Sequence, residues 1–358
     1  MTPEDRAVCL LCRQQFSDSH RRHLETLARL HRIDWHAAYL TADHHGVAPL
    51  VHHNLLLAGA DDLRVPRETL DQFKVAQIQN VLSKRRTARM VDQILALFAG
   101  MGVDVMLVKG AAMDLLVYRE PWYVRSYDVD LVIRPKREEL DAADHRAIVD
   151  SLEGFNHSQI PFKGHIEYDF YEHHDVTMNN VLAVDSARLW AEARPVRVGE
   201  QTAFALSIED MLITAAINSC RKRYFRLKSL LDIATIVEGC PELSWPALTA
   251  KARAYEANTI VHTALLVTRT LLGCPLPEEV LDGLQVSRLR AALLARMVES
   301  LWRRRSLDQL DARSEGSLMG RQFSWPLALT YAAYRSDHLL PKLKEIAAAW
   351  RHPHPSVP

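Results

Sequence analysis

The spacing of hydrophobic residues divides this chain into three zones. Up to about residue 100, apolar residues recur at positions i, i+3, i+4 and i+7, a period that predicts amphipathic helices. The longest such pattern, LDQFKVAQIQNVLSKRRTARMVDQILALFAGMG, ends at Gly100-Met101-Gly102, which is typical of a helix stop. Residues 1–100 are therefore expected to form an N-terminal helical region.

The pattern changes between residues 101 and 205. VDVMLVK predicts a strand, AAMDLLVY a short helix and YDVDLVI a second strand. A helix is expected after Pro135, one or two strands in HIEYDFYEHHDVTMNNV, and a hairpin around Gly199 in PVRVGEQTAFAL. Strands that alternate with helices in this way indicate a compact mixed α/β core over residues 101–205.

Helical periodicity returns over residues 206–350. Ser207 is an expected N-cap, with Asp210 three residues later in the capping-box position. Further helices are predicted near 245–272, 275–304 and 324–350, and the last eight residues, 351–358, are expected to be disordered. The fold class is therefore α+β: a core with a mixed sheet, flanked by N-terminal and C-terminal helical regions.

Composition narrows the classes of partner. The 358 residues carry 44 basic and 44 acidic side chains, so no overall charge attracts the chain to nucleic acid or to an anionic membrane. No apolar run approaches the roughly 18 residues that a transmembrane helix needs, and the N-terminus lacks a secretory pattern. We expect a cytoplasmic protein in which Cys9 and Cys12 are buried, reduced thiols, because no second CxxC completes a zinc site.

Two carboxylates interrupt the second predicted strand of the core. Asp128 and Asp130 are two residues apart, so on a strand they project to the same face. Carboxylates at that separation repel unless a proton or a cation lies between them. Mg²⁺ or Mn²⁺ suits such a pair, because these ions take oxygen ligands and share them with phosphates. The alternative is a solvent-facing pair on an edge strand.

The preceding turn has the features of a phosphate site. Lys109 and Gly110 end the first predicted strand and begin a helix, where glycine lets backbone N–H groups approach a phosphate. Lys109 adds a positive charge. Arg125 and Ser126, which lie just before the D-x-D pair, could contact the same phosphates. The alternatives are that Arg125 pairs with Asp128 or Asp130 and that Ser126 only starts the strand. These are the parts that metal-assisted nucleotidyl transfer needs, together with a third carboxylate from an adjacent strand.

The segment LVKGAAMDLLVYREPWYVRSYDVDLVI resembles the motif of a nucleotidyltransferase-like family within the DNA polymerase β superfamily. HGVAPLVHHNLL is similar to its N-terminal helical region, and SIEDMLITAAINSCRKRYFRLKSLLDIATIV to its C-terminal helical segment. The resemblance spans residues 25–240. It implies a polymerase-β-like core, Mg²⁺ or Mn²⁺ held by Asp128 and Asp130, and a nucleoside triphosphate donor, with ATP as the expected one.

The same resemblance implies a third acid in a strand that ends D-hydrophobic-H-W. The best local match is HHDVTMNN, which makes Asp175 the third catalytic and metal-binding carboxylate. The chain departs from the family pattern here, because Thr177 and Met178 stand where His and Trp are expected. Glu167 and Asp169, in the same region, compete for the role.

A basic stretch, CRKRYFRLK, is expected to lie along one helix. On it Lys222 and Arg226 are i, i+4 neighbours that share a face, so they are candidates to meet the triphosphate. The alternative is a solvated helix face. Asp232 occupies the position of a family aspartate, and the simpler explanation for it is a pair with one of these basic residues.

Three functions fit these observations. The first is transfer of a nucleoside monophosphate to a hydroxyl group of an unknown acceptor, which could be a small molecule, a protein or an RNA end. The second is a catalytically weak or inactive nucleotide-binding or partner-binding module, suggested by the altered DVTM segment. Phosphoryl transfer ranks below both, because the chain lacks a Walker A motif and a kinase catalytic loop. The sequence leaves the oligomeric state open.

Overall fold

The structure is a computed structural model that describes residues 1–136, 142–158, 166–171, 182–222, 224, 226–304 and 337. Asp175, most of the helix predicted near 324–350, and the tail from residue 351 lie outside these residues.

Helices form the N-terminal zone, as the hydrophobic period predicts. Thr2, Ser17 and Asp34 cap the first three of them by accepting hydrogen bonds from backbone N–H groups of the first turn. The last helix is long and ends at Gly100, as predicted. The helices are α1 (Pro3–Leu11), α2 (Asp18–Leu30), α3 (Trp35–His44), α4 (Ala48–Ala58) and α5 (Arg67–Gly100).

A five-stranded mixed sheet follows, and it confirms the α+β class. Its strands are β1 (Val103–Val108), β2 (Val129–Pro135), β3 (Ile166–Phe170), β4 (Arg194–Val198) and β5 (Gln201–Ala205). They are ordered β3-β2-β1-β5-β4. β1 pairs antiparallel with β2 and parallel with β5, and β2 pairs parallel with β3. β4 and β5 form the predicted hairpin around Gly199, whose φ of +57° suits glycine.

Helices connect and cover the strands. β1 and β2 are buried along almost their whole length, as expected for central strands whose two faces are both covered. The connecting helices are α6 (Lys109–Leu116), α7 (Ala142–Ser158) and α8 (Ser186–Ala191), with a short 3₁₀ turn at Pro121–Tyr123.

The C-terminal zone is helical again, and Ser207 caps its first helix as predicted, by accepting from the Asp210 N–H. The helices are α9 (Ile208–Arg221), α10 (Leu227–Gly239), α11 (Trp245–Ala254), α12 (Asn258–Leu272), α13 (Glu278–Gly283) and α14 (Arg288–Arg304). A hydrophobic core that runs from Ala7 to Leu294 joins the sheet to both helical zones.

The prediction of one helix through CRKRYFRLK is wrong. α9 ends at Arg221, Lys222 is its C-cap, and Arg226 is the N-cap of α10. Tyr224 lies between them with a φ of +61° and a buried ring. Burial of this ring outweighs continuation of the helix, so Lys222 and Arg226 are not i, i+4 neighbours on one helix.

The cysteines and the apolar helices were also subjects of prediction. All five cysteines are buried thiols that form no disulfide, which confirms the interpretation of Cys9 and Cys12 as core thiols. Within the described residues, no helix is both long and apolar enough to cross a membrane.

Candidate active site

The strand-to-helix turn at Lys109-Gly110 is built tightly. Lys109 has a φ of +49°, a left-handed conformation that is unfavourable for a residue with a side chain and that recurs at functional turns. A Cβ atom on Gly110 would lie 3.2 Å from Ser126 Oγ. Glycine therefore allows a close approach to the segment before β2. The sequence suggested a close approach here too, but to a phosphate.

Asp130 is the buried carboxylate of the site. It lies in β2 opposite Val108, the last residue of β1. Lys109 Nζ donates to Asp130 Oδ1 at 2.5 Å, and the side chain of Asp130 is only 7% exposed. The lysine of the turn and the second aspartate of the D-x-D pair therefore form an ion pair at the C-terminal end of β1.

Glu167 lies next to Asp130 on the neighbouring strand. Asp130 and Glu167 are register partners in the parallel pair β2–β3, so their side chains project to the same face. Lys109 Nζ lies 3.9 Å from Glu167 Oε2, and the Glu167 side chain is 56% exposed. Lys109 thus contacts two carboxylates, one buried and one open to solvent.

Asp128 lies just before the first residue of β2 and is exposed. It stands two residues ahead of Asp130, at the entrance to the same strand. Among the described residues, no cluster of three or more His, Cys, Asp or Glu side chains has the geometry of a metal site. Asp175, the third acid suggested by the family resemblance, lies outside the described residues, so the structure neither places it in the site nor away from it.

Arg125 pairs with Asp43, which the sequence did not indicate. Its guanidinium donates to Asp43 Oδ1 at 2.8 Å, and its backbone N–H donates to the Gly46 carbonyl at 2.8 Å. His45, in the same N-terminal segment, accepts from the Leu227 N–H through Nδ1 at 3.3 Å. The end of α3 therefore holds both the segment before β2 and the start of α10.

Ser126 belongs to a buried polar cluster under α6. Lys84 of α5 donates to Ser126 Oγ at 2.6 Å and to the Asp114 carboxylate of α6. Burial lowers the pKa of Lys84 and raises that of Asp114, and their mutual attraction only partly offsets both shifts. Lys84 and Asp114 thus support the D-x-D segment from behind, although neither was selected from the sequence.

Periodicity could have identified Lys84. It falls on the buried stripe of α5 that also contains Phe73, Asn80, Val91 and Phe98. A lysine on such a stripe is buried only when it has a partner. The sequence gives no local signal for its partner Asp114, which lies 30 positions away.

A second group of cations lies where α9 and α10 meet. Lys228 donates to Asp232 Oδ2 at 2.8 Å, which confirms the expected pairing of Asp232 with a basic residue. Tyr118 donates to Asp232 Oδ1 at 2.5 Å. Burial lowers the pKa of Lys228, but the charge and hydrogen bond of Asp232 outweigh it and raise the pKa overall.

The surroundings of Lys222 disfavour its protonated form. Lys222 is exposed to solvent, yet the protein around its ammonium group desolvates it enough to lower its pKa. The charges of Lys228, Arg226 and Lys109 lower it further, and Asp232 opposes them. A small cavity of about 30 Å³ lies in this region, lined by residues that include Lys109, Gly110, Asn218 and Lys228. Positive charge therefore concentrates between the Lys109-Gly110 turn and α10.

The fold of this α+β protein brings together a glycine turn, carboxylates on two neighbouring strands and a nearby group of cations. Among known families, the one described as "Uncharacterised nucleotidyltransferase" matches residues 31–273. The chain belongs to this family of nucleotidyltransferases. Neither a curated protein nor a solved structure matches it.

Proposed function

We propose that this protein is a metal-dependent nucleotidyltransferase, which transfers a nucleoside monophosphate from a nucleoside triphosphate to an acceptor hydroxyl. One observation carries the proposal: Lys109 of the glycine turn contacts both Asp130 and Glu167, two register partners on neighbouring strands. The lysine that we propose to bind phosphate and two carboxylates therefore lie together at the ends of neighbouring strands. Membership of the family supports the same reaction.

The carboxylates present fit Mg²⁺ or Mn²⁺. Mg²⁺ is commonly held by one or two carboxylates together with substrate phosphates, so it does not need a complete cage of protein ligands. Asp130 and Glu167 would provide these oxygens, with Asp128 at the entrance. Such an ion, when bound, neutralises phosphate charge and polarises the reacting phosphorus. Glu167 is the third carboxylate that the register supports, and Asp175 is the one that the family resemblance supports.

Lys109 has two competing sets of anionic partners in this proposal. Without nucleotide, it neutralises Asp130 at 2.5 Å. A triphosphate bound at the Gly110 turn would offer it phosphate oxygens, and transfer of Lys109 to them would free Asp130. Lys228 lines the small cavity together with Lys109 and Gly110. We propose that it holds the remaining phosphates together with Lys222 and Arg226, whose charges act in the same region.

The chemical step balances with residues of this site. The acceptor oxygen forms a bond to the α-phosphorus, and the bond from that phosphorus to the α–β bridging oxygen breaks. Pyrophosphate leaves, with its charge matched by Lys109 and the cations of α10. The hydroxyl proton passes to a carboxylate of the site, for which exposed Glu167 is the best placed described residue.

Calorimetric titration tests the proposal. ATP, the expected donor, and then GTP, CTP and UTP would be titrated with Mg²⁺ into the wild type and into Asp130→Asn. We expect one of them to bind only with metal, and the variant to lose at least about tenfold in affinity, because a metal ligand is removed. Binding of none of the four would contradict a triphosphate site.

The third carboxylate needs its own comparison. Release of pyrophosphate from the bound nucleotide would be measured for Glu167→Gln, Asp175→Asn and Asp169→Asn. Asp169 is the matched control, because it lies two residues beyond Glu167 on the same strand. We expect Glu167→Gln to abolish release and Asp169→Asn to preserve it.

A nucleotide-binding module without catalysis is the second candidate. The observation that favours it is the departure of Thr177 and Met178 from the family pattern. In that case the wild type would bind nucleotide with metal, yet release no pyrophosphate to water or to any hydroxyl acceptor. The Glu167 and Asp175 variants would then bind as the wild type does.

A further inference from the structure

A larger cavity lies on the opposite face of α6 from the Lys109-Gly110 turn. It has a volume of about 430 Å³, which is within the range of small-molecule sites. Ala111, Asp114 and Leu115 face it, whereas the small cavity near the turn is lined by Gly110 and Met113 on the other side of the helix. One helix therefore separates the two cavities.

Apolar side chains make up most of its wall. They come from α5, β1, α6 and the 3₁₀ turn, and include Ala88, Val91, Leu107, Leu115 and Trp122. The charges at the wall cancel, because Lys84 and Arg85 are matched by Asp114 and Glu120. An uncharged, largely apolar molecule suits this lining better than an anion or a cation.

Two hydrogen-bonding groups of the wall, on Asp114 and Lys84, are not used within the part of the protein that the structure describes, and together they suit one polar group on that molecule. Asp114 Oδ1 is buried and has no hydrogen-bond partner among the described residues, since Lys84 occupies only Oδ2. The Lys84 ammonium has three N–H groups, of which Asp114 and Ser126 accept two. A hydroxyl group could donate to Asp114 Oδ1 and accept from Lys84, which would satisfy both.

The wall is held in place before any ligand arrives. Asn80 Nδ2 donates to the carbonyl oxygens of Trp122 at 2.7 Å and of Val124 at 2.9 Å. Trp122 Nε1 donates to Glu120 Oε2 at 3.0 Å, and its ring makes an edge contact with Tyr123. A preformed aromatic wall reduces the entropy lost on binding.

The cavity is connected to the candidate active site by a short chain of contacts. Lys84 lines the cavity and holds Ser126, and Ser126 packs against Gly110. We propose that this cavity is a second ligand site, for an uncharged apolar or aromatic molecule with a hydroxyl group. Its occupancy is transmitted to the Gly110 turn through Lys84 and Ser126, and the ligand and a nucleotide can be bound at the same time.

Benzyl alcohol is a suitable probe, with toluene as the probe that lacks the hydroxyl. Binding to the full-length protein would be measured by ligand-observed NMR, in the presence and absence of MgATP. We expect millimolar affinity for benzyl alcohol, typical of a small fragment, and at least about tenfold weaker binding of toluene. Saturating MgATP should not displace the probe.

Ala88→Phe would fill the cavity from the exposed face of α5, and should reduce the affinity at least about tenfold. Ala96→Phe is the matched control, because Ala96 is an exposed alanine of the same helix that does not line the cavity. Absence of binding to the wild type, equal affinity in Ala88→Phe, equal affinity for toluene, or competition with MgATP would overturn the proposed site.

Hydrogen exchange tests the connection separately. Benzyl alcohol should slow amide hydrogen exchange in the segment that contains Ser126 of the wild-type protein. It should slow exchange in that segment of the control variant Ala96→Phe as well. Unchanged exchange in that segment would overturn the transmission to the turn. None of these measurements requires nucleotide transfer, so a protein that binds no ATP could still bind the probe.

Discussion

Lys109 Nζ lies 2.5 Å from Asp130 Oδ1 and 3.9 Å from Glu167 Oε2, so one ammonium group contacts both register-paired carboxylates. An ammonium group at this position competes with any divalent cation for the same oxygens. The positive charge of Lys109 reduces the electrostatic repulsion between these two carboxylates. Lys109 therefore controls both the nucleotide site and the carboxylates in the proposed mechanism.

Replacement of Lys109 by Met should have opposite effects on two ligands. Removal of the ammonium leaves Asp130 and Glu167 to repel each other, so affinity for Mn²⁺ alone should rise about tenfold, equivalent to about 1.4 kcal/mol. Affinity for MgATP should fall by a similar factor. Mn²⁺ binding can be followed by electron paramagnetic resonance. Lys136→Met, an exposed lysine at the end of β2, should change neither, and parallel losses of both ligands in Lys109→Met would contradict this role.

Gly110→Ala should destabilise the fold by about 1–3 kcal/mol, because its Cβ would lie 3.2 Å from Ser126 Oγ and 3.3 Å from Ser126 Cβ. Urea unfolding measures this free energy. Ser126→Gly removes both clashing atoms, so the double variant should be more stable than the sum of the two single changes predicts. Strict additivity would show that the close approach does not limit residue 110.

Binding of MgATP should weaken as the pH rises towards the lowered pKa of Lys222. Its folded pKa lies below the ordinary 10.5, because of desolvation and then the charges of Lys228 and Arg226. Lys222 therefore loses its charge at a lower pH than an exposed lysine does, and a neutral amine attracts phosphate less. Lys222→Arg stays charged and should remove this part of the pH dependence. Calorimetry across the alkaline range gives the comparison, and identical profiles would exclude Lys222 from the nucleotide site.

The stability of the protein should depend on His262 in mild acid. Burial, and then the charge of Arg269, lowers the pKa of His262 from 6.5 to about 4. The unfolded histidine binds its proton at a higher pH than the folded one, so stability is lost as the pH falls from 6.5 towards 4. Between about pH 7.5 and pH 5 the loss from this residue is about 2 kcal/mol.

His262→Leu should lack this loss, and the free energy of unfolding measured in urea at both pH values would show it. The exposed histidine His23 provides the control, since His23→Leu should follow the wild-type pH dependence. Equal losses in wild type and His262→Leu would show that His262 is accessible to protons in the folded state.

Local patterns in the sequence were sufficient for the helices of the N-terminal zone, the strands of the core and the hairpin at Gly199. They also placed Lys109 and Gly110 at a strand-to-helix turn and Asp130 inside the strand that follows. These features depend on side-chain periodicity, capping and glycine geometry over a few residues. Asp128 is the small exception, because it precedes the first residue of β2.

Tertiary structure alone decided which groups meet. The pairing of β2 with β3 brings Glu167 to Asp130 across 37 positions of sequence, and periodicity within either strand contains no information about that register. Burial of Tyr224 interrupts the basic helix and separates Lys222 from Arg226. Lys84, Asp114 and Ser126 meet because the Lys84 side chain extends from α5 to Asp114 of α6 and to the segment before β2, and the low dielectric there makes each polar group require a partner. The sequence alone therefore determined the elements and the motif, whereas long-range packing determined the partners of each charged side chain.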